Sequence, residues 1–297
     1  MVNSRTNNSS NSKTSTFEGK ITAVFAHKGY KVENKLGQGA FGVVYKAVNR
    51  DGQFAAVKVI DLMKMSERSR EKYLPREIST LIDCRHENLI QVYDIFRADN
   101  KMFIFMEFAG NGDLSGYAKK HKGINEPLAC KWFFQASSGL SYLHEILKTC
   151  HRDIKLDNIL LDANYIAKMT DFGFAKQIFD QQRNSVILSS TFCGTLPYEC
   201  PQILEHKAYN GFKADIWSMG VTFFIMLFDR FPFHYKDRKQ MLCEIKDYPK
   251  FIKSRYSKKL PSDATRLIEA MLHPDEAKRA NVGLILSNRY LLHTKEQ

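Results

Sequence analysis

His151-Arg-Asp-Ile-Lys-Leu-Asp-Asn158, followed directly by Ile159-Leu-Leu161 and, eighteen residues beyond Asp153, by Asp171-Phe-Gly173, is the most specific stretch of this 297-residue chain. A chance match to both strings at that separation would be a rare coincidence. Far upstream lies a second signal, Gly37-Gln-Gly39-Ala-Phe-Gly42. Read alone this G-x-G-x-x-G is weak, because it also marks dinucleotide-binding folds and ordinary glycine-rich turns. The dinucleotide version opens a helix. Here the glycines run into the alternating segment Val43-Val-Tyr-Lys-Ala-Val48, which predicts the tip of a β-hairpin whose backbone N–H groups can approach phosphates. Sixteen residues after Gly42, Lys58 stands in the middle of the apolar run Ala55-Ala-Val-Lys-Val-Ile60. A buried ammonium is costly unless paired. Phosphate oxygens and a carboxylate are its natural partners, with Glu77 on the following helical pattern as the candidate. For Lys58 by itself, a side chain snorkelling at a strand edge is an equal alternative.

Outward from these strings the chain divides by periodicity. Residues 1–28 are rich in Ser, Asn and Thr with little apolar pattern, the composition of a disordered tail. From Tyr30 to about Asp99 come short β-like runs: Tyr30–Glu33, Phe41–Val48, Phe54–Ile60, Leu89–Tyr93 and Met102–Met106, with turn residues such as Asp51-Gly52 between them. One helix interrupts them, with Leu74, Ile78, Leu81 and Ile82 at helical spacing and Pro75 near its start. After Gly110-Asn-Gly112 long helical patterns take over, at 113–121, 126–147, 212–228, 236–247 and 262–272. A chain of this length is expected to form two packed units, an α+β fold with a small mainly antiparallel β unit and a larger mainly helical one. The chain ends soon after the last helical pattern, so no C-terminal regulatory domain is expected.

Composition narrows the class. Hydrophobic residues make up 44% and charged residues 26%, average values for a folded globular chain. The apolar stretch Val221–Phe228 is far short of the roughly 20 residues that span a bilayer and predicts a buried helix. No secretory h-region or myristoylation glycine follows Met1. The six cysteines show no C-x-x-C or zinc-ligand spacing, which suits reduced thiols and a cytoplasmic protein. A net charge of +12 favours acidic partners such as nucleic acid, anionic membrane or nucleotide phosphates, but the basic residues are dispersed and no nucleic-acid motif stands behind them. Neither nucleic acid nor membrane is expected as a partner.

Taken together, the glycine string, Lys58, His151–Asn158 and Asp171–Gly173 resemble the signature set of eukaryotic protein kinases. The resemblance covers residues 29–294, with an N-lobe over about 29–107 and a C-lobe over about 108–294, and it implies the bilobal kinase fold. It implies transfer of the ATP γ-phosphate, with Mg²⁺, to serine or threonine hydroxyls of protein substrates. Asp153 would accept the proton of the attacking hydroxyl, and Lys155 would neutralise the moving phosphate. A lysine at that position is the serine/threonine pattern. Asn158 and Asp171 would hold the metal. Gly37, Gly39, Gly42, Lys58 and Glu77 would serve the phosphates, while Val44, Ala56 and Leu160 would sandwich the adenine. Met106 falls at the gatekeeper position, so Glu107 and Ala109 would meet the adenine edge. His151 would be a packed residue beneath Phe172, in one stack with Leu81 and Val92.

The resemblance extends to regulation. Arg152 marks kinases whose activation loop is ordered by phosphate, and Thr191-Phe-Cys-Gly-Thr195 then places the phosphosite at Thr191 and a substrate-positioning hydroxyl at Thr195. Lys176 would join Arg152 around that phosphate. Ser185, Ser189 and Ser190 are lesser candidates. Asp113 and Asp157 sit where related kinases keep carboxylates for substrate arginines or the ribose. Ile225, where arginine-selective relatives carry glutamate, tempers this to a moderate basic preference. The family's Ala-Pro-Glu stands here as Cys200-Pro-Gln202, so its buried arginine partner, matched by Arg279, would lack a carboxylate. Asp215 matches intact and should hold the backbone of the catalytic loop. Tyr73–Ile78, Met106-Glu with Gly112-Asp-Leu114, and Leu188–Gly194 look like the testis-specific serine/threonine kinases of the calmodulin-dependent group, which implies a role in sperm development. A monomer is expected. The competing reading is a pseudokinase scaffold, and only Gln202 leans that way.

Overall fold

The computed structural model describes residues 21–39, 42–64, 84–248, 250–256 and 260–294. They fall into two units: the first holds the chain up to Ile82 together with Gln91–Phe108, and the second holds Asp83–Ile90 and everything from Ala109 onward.

Unit 1 is a five-stranded antiparallel sheet in the order β1-β2-β3-β5-β4. Its strands are β1 (Tyr30–Gln38), β2 (Gly42–Asn49), β3 (Phe54–Asp61), β4 (Val92–Ala98) and β5 (Lys101–Glu107). The predicted hairpin forms: Gly39 N donates to Gly42 O at 2.9 Å across its tip. Glycine is required at 42, because a Cβ there would lie 2.2 Å from the carbonyl oxygen of Val59. The Asp51-Gly52 turn is held by Asn49, whose side-chain oxygen accepts from Asp51 N and Gln53 N. Period-two alternation along β3 then sends Ala55, Val57 and Val59 to one face and Ala56, Lys58 and Ile60 to the other.

Each face has its own core. Leu62, Val92, Met102 and Ile104 fill one, with Ile60, Ile95 and Met106 against them. The other is formed by Ala47, Val57, Val59, Phe103 and Phe105 together with Ile21 and Phe25. The last two lie on a helix over residues 21–27, α1, which corrects the expected tail: its boundary at 28 is too late. Ile21 and Phe25 are one helical turn apart, so a single stripe meets the sheet. Phe25 is completely buried and touches the rings of Tyr45, Phe103 and Phe105. Phe25→Ala is expected to destabilise unit 1 by about 3 kcal/mol or more, measured as lost amide protection in β2 and β3; unchanged exchange would make α1 an appendage. The expected helix with Leu74, Glu77, Ile78 and Leu81 lies outside the described residues.

Unit 2 is mainly helical. α2 (Leu114–His121) and α3 (Glu126–Ser141) lead into the irregular stretch 147–200, α4 (Pro201–Leu204) follows it, and α5 (Gly211–Phe228), α6 (Arg238–Lys246) and α7 (Ser262–Met271) lie beyond. Three two-stranded ribbons lie between α3 and α4: β6 (Thr149–Cys150) with β9 (Lys176–Gln177), β7 (Ile159–Leu161) with β8 (Ala167–Met169), and β10 (Phe179–Asp180) with β11 (Ser185–Val186). α5 begins at Asn210, whose side chain accepts from Phe212 N and Lys213 N, and ends at Asp229 in the left-handed conformation. It is apolar and long enough to cross a membrane, yet 78% of it is buried inside the unit, as the Val221–Phe228 pattern predicts.

Candidate active site

Unit 2 gathers Asp153, Lys155, Asn158 and Thr195 around one carboxylate. Asp153 Oδ1 accepts from Thr195 Oγ1 at 2.9 Å, and Oδ2 accepts from Lys155 Nζ at 2.8 Å and Asn158 Nδ2 at 3.0 Å. Lys155 Nζ also donates to Thr195 Oγ1 at 2.9 Å, closing the ring. Asp153 is only 7% exposed, so these donors replace the solvation it lost. Because one nitrogen of Asn158 serves both the Asp153 carboxylate and the Asp153 carbonyl, the side chain is locked with its amide oxygen turned elsewhere.

Asp171 follows closely, since Thr170 N donates to Asn158 O at 3.0 Å. Its backbone is left-handed, at φ 61°, and its carboxylate accepts from Gly173 N. Aspartate tolerates this conformation better than most residues. The Asn158 amide oxygen and the Asp171 carboxylate are hard oxygen donors of the kind that suit a divalent cation such as Mg²⁺.

The loop is held from beneath by Asp215 of α5. Its carboxylate accepts from His151 N, Arg152 N and His144 Nε2, each at 2.8 Å, and it is 1% exposed. The two amide bonds account for Arg152 adopting φ 68°. His144 sits on a π-helical turn, Tyr142–Ile146, that continues α3, and such turns often occur at functional sites. Sequence reasoning anticipates Asp215 and misses His144, whose partner is 71 residues away. His151 is fully buried. It donates through Nε2 to Thr170 O, accepts Asp153 N at Nδ1, and packs at a tilt against Phe172 with ring centroids 5.3 Å apart. With both nitrogens engaged it is a packing residue, as expected; Leu81, the other end of the proposed stack, lies outside the described residues.

In unit 1, Val44 pairs with Lys58, and Ala56 with Met106, in the strand register. Val44, Ala56, Lys58 and Met106 therefore share one face of the sheet. Gly37 pairs with Val44 one step before the last pair, Gln38 with Val43; Gly42 opens β2, and Gly39 lies in the tip between the strands. Glu107 N donates to Gln91 O, and its carboxylate accepts from Gln91 N. Glu77 lies outside the described residues. The remaining sequence-predicted residues are in unit 2: Leu160 is half-buried on β7, Asp157 is exposed, Ala109 opens the unit, and Asp113 caps α2 by accepting Gly116 N at 2.7 Å.

The segment carrying Thr191 lies in unit 2. Thr191 and Ser190 are exposed, whereas Ser189 is fully buried. Arg152 Nε donates to Phe174 O. Further on, Gln202 meets Arg279 as the sequence proposes. Arg279 is 2% exposed and donates to His273 O, Lys213 O, Gln202 Oε1 and Pro274 O, at 2.8–3.1 Å. Gln202 Nε2 also donates to Pro274 O at 2.8 Å. Burial pulls the Arg279 guanidinium below its ordinary range, against the pull of Cys200, Glu276 and Asp275. The expected shortfall is thus one of charge; hydrogen bonding around the guanidinium is well supplied.

An antiparallel β unit bearing a glycine hairpin and a lysine, followed by a helical unit with an aspartate ringed by lysine, asparagine and threonine, defines a phosphotransferase of the protein kinase class. A model of the protein kinase domain matches residues 30–291. The chain is 36% identical to testis-specific serine/threonine-protein kinase 2 of Mus musculus over 91% of its own length and 75% of that protein's. It is 34% identical to testis-specific serine/threonine-protein kinase 4 of Homo sapiens over 89% and 83%, and 36% identical to CBL-interacting serine/threonine-protein kinase 19 of Arabidopsis thaliana over 88% and 53%. The chain belongs to the protein kinase family and is a serine/threonine protein kinase, acting on protein substrates with ATP and a divalent metal ion.

Proposed function

We propose that the chain transfers the γ-phosphate of Mg²⁺-ATP to serine and threonine hydroxyls with Asp153 as the proton acceptor. The ring of donors around Asp153 carries this reading. A substrate hydroxyl placed against Asp153 is oriented for in-line attack. Its oxygen forms the new bond to the γ-phosphorus, the bond from that phosphorus to the bridging oxygen of ADP breaks, and the proton passes to Asp153. Lys155, bonded to both Asp153 and Thr195, is within reach of the oxygens on which charge develops. Thr195 holds the other carboxylate oxygen and so fixes the direction in which Asp153 faces. Asn158 and Asp171 would hold Mg²⁺, which neutralises phosphate charge. In unit 1, Lys58 and the glycines of the β1–β2 tip would bind the phosphates, and Val44 and Ala56 would lie against the adenine.

Thr191 is the proposed activating phosphosite. It is exposed, whereas phosphorylating Ser189 would require opening a buried bridge. Asp157, exposed beside the catalytic residues in sequence, supports a moderate preference for basic residues in the substrate. Similarity to the testis-specific kinases supports a role in sperm development.

The test is phosphate transfer from labelled ATP to a basic serine/threonine peptide, titrated with Mg²⁺. Asp171→Asn is expected to raise the Mg²⁺ needed for half-maximal rate by more than about tenfold, since losing even an outer-shell partner of a metal can reach that. An unshifted Mg²⁺ dependence would remove Asp171 from the metal site.

A further inference from the structure

The segment carrying Thr191 is tied to the loop that opens α5. Ser189 N donates to Tyr209 O at 2.8 Å, and Tyr209 N donates back to Ser189 O at 3.0 Å. Two residues further on, the Tyr209 hydroxyl donates to the carbonyl oxygen of Thr191 at 2.9 Å. Tyr209 and Ser189 are both fully buried. A single two-way bridge fixes one residue but leaves the chain beyond it free to turn. The hydroxyl contact supplies a second fixed point and so sets the direction of travel towards Thr195.

The other end of this clamp is equally firm. Asn210, the next residue, caps α5 and donates its own N–H to Glu276. Gly211 lies so close to β6 that a Cβ would sit 2.7 Å from Cys150 Sγ. α5 in turn carries Asp215, which holds the amides of His151 and Arg152. Thr191 is therefore connected to the loop of Asp153 through Tyr209 and α5, and no phosphate takes part. Burial, offset in part by a hydrogen bond with Ser189, pushes the Tyr209 phenol up to about 12, so it remains a neutral donor across the physiological range. Cys193, Arg152 and Cys150 are the titratable groups that face it.

We propose that Tyr209 is a positioning residue for phosphate transfer: its hydroxyl sets the register of residues 189–195, and with it the Thr195–Asp153 contact, before Thr191 is phosphorylated. The proposal rests on the phosphotransfer reading above and deepens it. Phosphate on Thr191 then reinforces an arrangement that already exists.

Tyr209→Phe in the full chain keeps the buried ring and deletes only the donor. In protein treated with phosphatase, with Thr191 verified as unmodified by mass spectrometry, kcat/KM for a peptide is expected to fall about fivefold, the worth of one neutral hydrogen bond. KM for ATP should not move, and the melting temperature should fall by no more than about 4 °C, the scale for one lost hydrogen bond. After phosphorylation of Thr191 the deficit should shrink. A deficit equal in both phosphorylation states, no deficit at all, or a parallel rise in KM for ATP would overturn the proposal. Limited proteolysis provides a measure independent of catalysis. Unphosphorylated wild type should resist cleavage at residues 187–196, with Tyr209→Phe cut faster. Equal cleavage of the two proteins would overturn the clamp, whereas an inert wild type with a protected segment would count against the phosphotransfer reading alone.

Discussion

Asp153→Asn is expected to lower kcat by about a hundred- to ten-thousandfold, the range for loss of a positioned general base, while KM for ATP stays within about twofold. The hydrogen-bond ring explains why the fold should survive. Asparagine has one oxygen and one NH₂ where aspartate has two acceptors. On one side stand two donors that cannot reverse, Lys155 Nζ and Asn158 Nδ2. On the other stands Thr195 Oγ1, a hydroxyl able to donate or accept. The amide will turn its oxygen to Lys155 and Asn158 and its NH₂ to Thr195, whose half-buried hydroxyl then turns its own proton to solvent. What disappears is the acceptor for the substrate proton. Steady-state kinetics with a melting curve check this. A variant that melts normally and retains kcat within about twofold would show that the proton leaves by another route.

That ring was legible in the sequence only as a set of residue types. His151–Asn158 and Thr191–Thr195 named its members because their spacing is local and specific, and the long helices of unit 2 were legible from stripes many residues long. Other features depended on contacts that no local pattern encodes. Leu89–Tyr93 reads as a strand, but Leu89 and Ile90 are buried residues of unit 2, and β4 starts only at Val92. An apolar run serves a buried loop as well as a strand. The helix of α1 escaped because seven residues with one stripe, Ile21 and Phe25, are shorter than the window in which helical periodicity can be recognised. His144 reads as one more position on α3, and Tyr209 as one more loop aromatic; their roles come from partners 71 and 18 residues away.

Gln202 is the departure the sequence made conspicuous, and its neighbourhood gives opposite expectations for the two partners. Arg279→Leu should destabilise unit 2 by about 3 kcal/mol or more, because a buried acceptor left without its donor costs about 1–3 kcal/mol and several are left at once. It removes the donor shared by four oxygens, those of His273, Lys213, Gln202 and Pro274, and the guanidinium that sits 5.1 Å from the Trp217 ring. The oxygens would stay behind in a place without solvent. Gln202→Glu, which restores the carboxylate usual in the family, should change stability by no more than about 1 kcal/mol, because the gain of a buried ion pair is largely offset by its desolvation. The amide also does something a carboxylate cannot: its Nε2 donates to Pro274 O while its oxygen accepts from Arg279. Glutamate would set a second negative oxygen against that carbonyl, leaving Arg279 Nη2, at 3.1 Å, as the donor between them. Denaturant titration of both variants, with kcat measured on the same samples, separates the cases. If Gln202→Glu gained several kcal/mol together with a large rise in kcat, the glutamine would be a weakness in the anchor of the activation segment. The expected near-neutral result makes it instead an uncharged solution to the same problem, in which hydrogen bonds take the place of an ion pair at position 202 in holding Arg279 and, through it, the segment that carries Thr191 and Thr195.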